Sequence, residues 1–224
     1  MNILVTAGNT QSPIDRVRSI TNVFSGRTRA RIAAEAAGRG HGVTLLTSHP
    51  EVLDGGAAVR VRPYRTFDEL ESLMATEIAS GRYGAVIHAA AVSDYHVAGV
   101  FAGRDGTRLD TEGKVKCHHP ELWLRLVPAP KLIDKVRTEW DFAGTLVKFK
   151  LEVGASDETL LDVAERSRVQ SAADLMCANT LEGIHDWAFI GGGLDGYRRV
   201  GRADLPAVLI GAVAAVAPRS AVVA

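Results

Sequence analysis

Residues 1–26, MNILVTAGNTQSPIDRVRSITNVFSG, decide how the rest of the chain is read. The apolar run Ile3-Leu4-Val5 hands over to Thr6-Ala7-Gly8-Asn9-Thr10, and a long polar segment follows before helical spacing begins. Short apolar runs ending in Gly and Thr mark a parallel strand, buried on both faces, that leads into a ligand loop. A loop of this length inside a compact domain tends to be functional. The first turn is therefore the expected ligand site.

Outward from it, strand and helix signals alternate. Strands are expected over residues 3–6, 43–47, 58–61, 85–90, 122–127, 145–151, 175–178 and 188–190. A helix is expected over 27–38, with Ala30, Ala33, Ala34 and Ala37 as a small apolar face and Gly40 closing its end. A second, over 67–80, follows Thr66 and places Phe67, Leu70, Leu73, Met74 and Ile78 at helical spacing. A third, over 156–168, opens on SDETLL. The alternation implies an α/β fold, a three-layer, Rossmann-like, mostly parallel sheet with helices on both faces. Between Tyr95 and Glu121 periodicity fails, and Gly99, Gly103, Gly106 and Gly113 interrupt charged residues. That segment reads as a flap or extension of a single domain covering residues 1–224.

Lysine plus arginine and aspartate plus glutamate number 26 each, so no global field draws nucleic acid or an anionic membrane. Cys117 and Cys177 make no metal-spaced or CxxC motif, which favours a reduced, cytoplasmic protein. Met1 enters the first strand directly, without a leader pattern. Residues 205–217, LPAVLIGAVAAVA, are too few to span a bilayer, and Asp204 with Pro206 opens them as a soluble, buried helix.

The first turn lacks GxGxxG and GxxxxGK[ST], which disfavours a dinucleotide-binding reductase. Ser25-Gly26-Arg27 stands at a helix start, where free N–H groups and the helix dipole suit an anion or, more plainly, Ser25 caps the helix. Asn22, just upstream, offers uncharged donors to a carbonyl becoming negative, or bonds its own turn. The run His88-Ala89-Ala90-Ala91-Val92-Ser93-Asp94-Tyr95 allows close backbone approach and puts an acid at a strand's carboxyl end. Asp94 there accepts a ribose hydroxyl, holds Mg²⁺ through water, or caps a turn, while His88 reads as a core histidine. Lys114, Lys116, Lys131 and Lys148 read singly as surface charges, whereas Lys150 ends an apolar strand where a ligand meets it. No Ser–His–Asp, Cys–His or HExxH arrangement supports nucleophilic or zinc chemistry.

Taken together, TAGNTQSPIDRVRSITNVFSG, AAAVSDY, GKVK, LRLVPAPKLID, LVKFKLEVG and DLMCANTLE resemble phosphopantothenoylcysteine synthetase over nearly the whole chain. The resemblance implies a ligase that joins 4′-phosphopantothenate to L-cysteine through an acyl-nucleotide, releasing pyrophosphate, in coenzyme A biosynthesis. It implies Asn22 and Lys114 as catalytic residues, with Asn22 at the acyl-nucleotide and Lys114 at the triphosphate. Asn22 and Asn179 are the expected substrate contacts. Expected nucleotide contacts are Gly8, Asn9, Ser25, Gly26, Arg27, the strand end His88, Ala89, Ala90 and Ala91, and Asp94. The wall around base and sugar is expected from Pro130, Lys131, Leu132, Ile133 and Phe149, with Lys150 beside it. No metal ligand is assigned. CTP or ATP with Mg²⁺ is the implied co-substrate: the first turn and flap favour CTP, whereas FKLE and ANTLE resemble the branch that uses ATP. A homodimer joined through the extension is implied. Many bacterial relatives carry a flavin-dependent decarboxylase ahead of this domain, and a chain opening on the synthetase strand is expected to bind no flavin.

The departures are Asn9 where a second glycine is usual, SGR with Arg27 instead of SGK, and Ser167 and Ser171 where cytidine-using members carry lysines. They keep two other readings open, a silent nucleotide-binding or regulatory protein and a nucleotide-activated ligase for another carboxylate.

Overall fold

A computed structural model describes residues 1–24, 26–53, 58–104 and 106–216. The chain opens with β1 (Asn2–Ala7), a short pair β2 (Gln11–Pro13) and β3 (Ser19–Thr21), α1 (Arg27–Gly38), β4 (Gly42–Thr47), β5 (Val59–Pro63), α2 (Phe67–Ala79) and β6 (Ala85–His88). It continues with β7 (Tyr95–Ala102), β8 (Leu122–Pro128), α3 (Leu132–Thr138), β9 (Thr145–Glu152), α4 (Asp157–Gln170), β10 (Leu175–Thr180), β11 (Trp187–Gly191), β12 (Tyr197–Gly201) and α5 (Leu205–Ala215). An 8-stranded sheet runs β5-β4-β1-β6-β9-β10-β11-β12. The first six strands in that order are mutually parallel, β11 runs antiparallel to β10, and β12 runs antiparallel to β11.

Alternation along β1 explains the layering. Ile3, Val5 and Ala7 face one side, packing with Ile32, Ala33 and Ala36 of α1 and Leu205, Leu209, Ile210 and Val213 of α5. Leu4 faces the other side with Phe67, Leu70 and Met74 of α2 and Leu132, Ile133 and Val136 of α3. α4 covers the end of that face through Leu160 and Ala164 against Met176 and Ala178. Because β1 is covered on both faces, its apolar run is continuous rather than alternating. A capping box at α2, Thr66 with Glu69, adds about 1 kcal/mol to a helix that the spacing alone already marks.

Several expectations are corrected. The long first turn is not a plain loop, since β2 and β3 pair within it. In α1 the buried face is Ala30, Ile32, Ala33 and Ala36, with Ala34 and Ala37 only partly covered, because α5 packs on that side. The segment expected to lack periodicity contains β7, whose alternation is broken by a register shift between Val97 and Gly99. Residues 122–127 do form a strand, but β8 pairs with β7 in a separate ribbon instead of joining the main sheet. α3 and β12 were not anticipated; each is short, and β12 follows a glycine-rich turn. Among the described residues, no helix is long and apolar enough to cross a membrane.

Candidate active site at the sheet switch point

The order β5-β4-β1-β6-β9-β10 reverses direction between β1 and β6, where open α/β sheets bind ligands beyond the strand carboxyl ends. Two segments meet there. Gly8 O accepts from Ala91 N at 2.8 Å, and Asn9 and Ala91 form a parallel bridge. Gly8 has φ 82°, and a Cβ there would run into Ser48 Oγ; Gly26 has φ 78°, and a Cβ would come within 2.5 Å of Gly8 N. Both positions demand glycine, and together they seat the start of α1 directly on the first turn.

Two cavities open above this junction. One, of about 110 Å³, is bounded by Phe24, Arg29, Ala89, Ala90, Ala91, Phe149, Lys150, Leu151, Asn179 and Ile184. The other, of about 140 Å³, is bounded by His88, Ala90, Val92, Ser93, Asp94, Pro130, Lys131, Leu132, Ile133, Lys148 and Phe149. Ala90 and Phe149 belong to both, so a flat ring and an alanine floor separate two small adjoining spaces. The expected strand-end and wall residues are therefore brought together. Asn179 and Lys150 share the smaller space, where Lys150 also pairs with Glu152 at 2.9 Å. Asp94 and Lys131 pair with one another at the mouth of the larger, both largely exposed.

The first turn places the amides. Asn22 Nδ2 donates to Ala91 O at 3.0 Å, which puts Asn22 against the cavity floor although it is not itself a wall residue. Asn9 is buried; its Nδ2 donates to Asn22 O, and its Oδ1 accepts from Ser48 Oγ at 3.0 Å. In place of a second glycine, Asn9 thus braces the loop that carries Asn22. Gly26 and Arg27 line a further cleft on the α1 side. Ser25 lies outside the described residues.

Lys114 is exposed and borders neither cavity. Its segment is tied to the turn between β2 and β3. Val115 N donates to Asp15 Oδ2 at 3.1 Å, Arg16 N to Gly113 O at 3.3 Å, and an Arg18 guanidinium N–H to Val115 O at 3.0 Å. The Arg18 guanidinium and three backbone N–H groups hold the Asp15 carboxyl well below the usual carboxylate range, against the opposing effect of burial.

His88 is buried beside Thr6, whose Oγ1 accepts from Ala89 N and Ala90 N at 3.1 Å each. The Thr6 hydroxyl proton is left for His88 Nδ1, 3.0 Å away, so the ring is neutral with its proton on Nε2. Burial, aided by the Lys148 charge, lowers its pKa to about 4. The core-histidine reading holds, and the ring also faces the larger cavity.

Sequence reasoning missed Arg29 and Lys148. Arg29 sits over the Phe149 ring at 5.5 Å. Lys148 Nζ donates to Ser167 O at 3.0 Å and to Ser171 Oγ at 2.9 Å. The two serines noted as departures therefore receive an ammonium from the neighbouring strand, whose pKa is lowered chiefly by burial.

The family described as DNA/pantothenate metabolism flavoprotein C-terminal domain matches residues 1–189. The bifunctional coenzyme A biosynthesis protein CoaBC of Thermococcus kodakarensis is 37% identical over 183 residues, 80% of this chain and 41% of that protein. CoaBC of Escherichia coli K12 is 33% identical over 179 residues, with the same shares. The chain thus spans less than half the length of these curated relatives. A DNA/pantothenate metabolism flavoprotein from Streptococcus pneumoniae superposes with TM-score 0.83 at 27% identity, covering 96% of this chain and 99% of that one. A Cab2 variant in complex with phosphopantothenate-cysteine shares the fold alone, with TM-score 0.74 at 17% identity over 96% of this chain and 85% of that one.

Proposed function

The chain belongs to the DNA/pantothenate metabolism flavoprotein C-terminal domain family, and from that premise we propose that it is a ligase joining 4′-phosphopantothenate to L-cysteine through an acyl-nucleotide. The observation that carries the reading is the pair of cavities sharing Ala90 and Phe149, with the Asn22 amide bonded to the floor they stand on. In the first step a carboxylate oxygen attacks the α-phosphorus of CTP or ATP, and the bond to pyrophosphate breaks. In the second, the cysteine amine attacks the acyl carbon, loses a proton, and the nucleoside monophosphate leaves.

This chemistry asks for charge offset and positioning more than for a strong base, because the attacking carboxylate is already ionised at neutral pH. A neutral buried His88 agrees with that demand. Asn22 donates to the acyl oxygen as it becomes negative, Asn179 contacts the acyl group, and the Phe149 face and residues 130–133 hold base and sugar. Lys114 neutralises the triphosphate once its segment, or a partner subunit's, reaches the cleft. Among the described residues no three His, Cys, Asp or Glu side chains gather as a metal cage. Asp94 would hold, through water, the Mg²⁺ that accompanies the nucleotide, and that cation would offset phosphate charge.

The active species is a dimer in the cytoplasm. The β7–β8 ribbon leaves Tyr95, Leu122, Trp123 and Leu126 between 37% and 53% exposed, the apolar surface such a contact needs. The test is pyrophosphate release with 4′-phosphopantothenate, L-cysteine, Mg²⁺ and either nucleotide. Release that requires all components is expected, and CTP is expected to be preferred. No release with either nucleotide would favour a silent nucleotide binder.

A further inference from the structure

A cleft of about 490 Å³ opens beside the first turn of α1, and its polar walls come from Arg27, Thr28, Arg29, Arg31, His185 and Arg202. No carboxylate of the described residues belongs to its lining. Among the described residues, none of these four arginines makes an ion pair. Arg202 instead reaches across to donate to Thr28 Oγ1, which fixes its guanidinium over the helix start. Arg29 Nε is shielded from solvent and has no hydrogen-bond partner among the described residues. Burial, and then the nearby Arg202 charge, lower the Arg29 pKa against an opposing effect of Cys177, so two like charges stand close together here. Such an arrangement is unfavourable unless an anion completes it. Among the described residues, no side chain caps the start of α1 and its first turn carries no acid, so its leading N–H groups face the cleft without a described partner.

We propose that this cleft is an oligophosphate site in which Arg29 and Arg202 clamp the pyrophosphoryl group that the nucleotide loses. The identity of the anion rests on the ligase reading; the anion site itself does not. Arg29 is the hinge of the geometry, because it also walls the smaller cavity and lies over Phe149. A nucleotide whose sugar lies against Phe149 directs its outer phosphates past Arg29 into the basic cleft. Guanidinium forks suit such phosphates because they bind bidentately. Arg202 follows β12, beyond residue 189 where the match to the family model ends, and its side chain returns to Thr28 at the start of α1.

Calorimetric titration with inorganic pyrophosphate, in the absence of other substrates, tests the site. Wild-type protein is expected to bind pyrophosphate more tightly than orthophosphate. Arg202→Gln is expected to weaken pyrophosphate at least tenfold without lowering the melting temperature, and Arg29→Gln to weaken it similarly. Arg39→Gln, which removes an equal charge from the far end of α1, is expected to bind as wild type. Should Arg29→Gln fail to fold, Arg202→Gln decides the matter alone. Absence of pyrophosphate binding, or unchanged affinity in Arg202→Gln, would overturn the proposal. Intact pyrophosphate binding with no ligation would reject the ligase reading and leave this site standing.

Discussion

Asn22 and Ala91 are joined by a hydrogen bond of 3.0 Å from the side-chain amide to the main-chain carbonyl, although 69 residues separate them in sequence. The bond ties the end of β3 to the segment after β6, so the amide is held by the floor of the cavity rather than by its own turn. A donor fixed this way loses little freedom when charge develops beside it.

Asn22→Ala is therefore expected to lower kcat by 100-fold or more, the scale of removing one oxyanion donor. Nucleotide affinity should change less than about threefold, since the role proposed for the amide is on the acyl group. Steady-state kinetics alongside equilibrium nucleotide binding separates the two. Near-normal turnover would remove Asn22 from the mechanism.

Asp15 holds the lysine-bearing segment through Val115 N and, by way of Arg18, through Val115 O. Asp15→Ala should free that segment and speed tryptic cleavage after Lys114 and Lys116. Lys114→Ala should leave the melting temperature within about 1 °C, because an exposed lysine contributes little to stability. The same variant should slow pyrophosphate release, and unchanged release would exclude it from the triphosphate.

His88 gives the fold a defined acid sensitivity. Its folded pKa, about 4, lies below the ordinary 6.5, so the unfolded chain binds a proton that the folded chain refuses. Stability from this source is complete above pH 6.5 and is lost as pH falls towards 4, by up to about 3 kcal/mol. In His88→Gln, denaturant unfolding should show a shallower decline over that window. A slope equal to wild type would mean that His88 stays exposed to protons in the fold.

The β7–β8 ribbon is the expected subunit contact. Sedimentation at micromolar concentration should find a dimer for the wild type and a monomer for Trp123→Glu. A monomeric wild type would contradict the assignment.

Much of this was legible in the chain because burial on both faces writes an unbroken apolar run. Ile3-Leu4-Val5 located β1, and Arg27–Gly38 was found with its ends in place. β7 was hidden because the irregularity at Gly99 breaks its two-residue period. The Pro130–Ile133 wall came only from the family resemblance, whereas the alanine floor could be read from local sequence. Arg29 could not, since an arginine within an exposed-looking run, RTRAR, reads as solvated charge until Phe149 is known to lie beneath it. The Lys148 contact with Ser167 and Ser171 joins a strand to a helix end, and nothing local to either announces it.

Isotope transfer tests the central claim most directly. When both carboxylate oxygens of 4′-phosphopantothenate are oxygen-18, attack on the α-phosphorus leaves one labelled oxygen on the nucleoside monophosphate, read as an isotope shift in its phosphorus resonance. The account predicts the label in the monophosphate and none in pyrophosphate. Label in the inorganic product, or in neither, would contradict it.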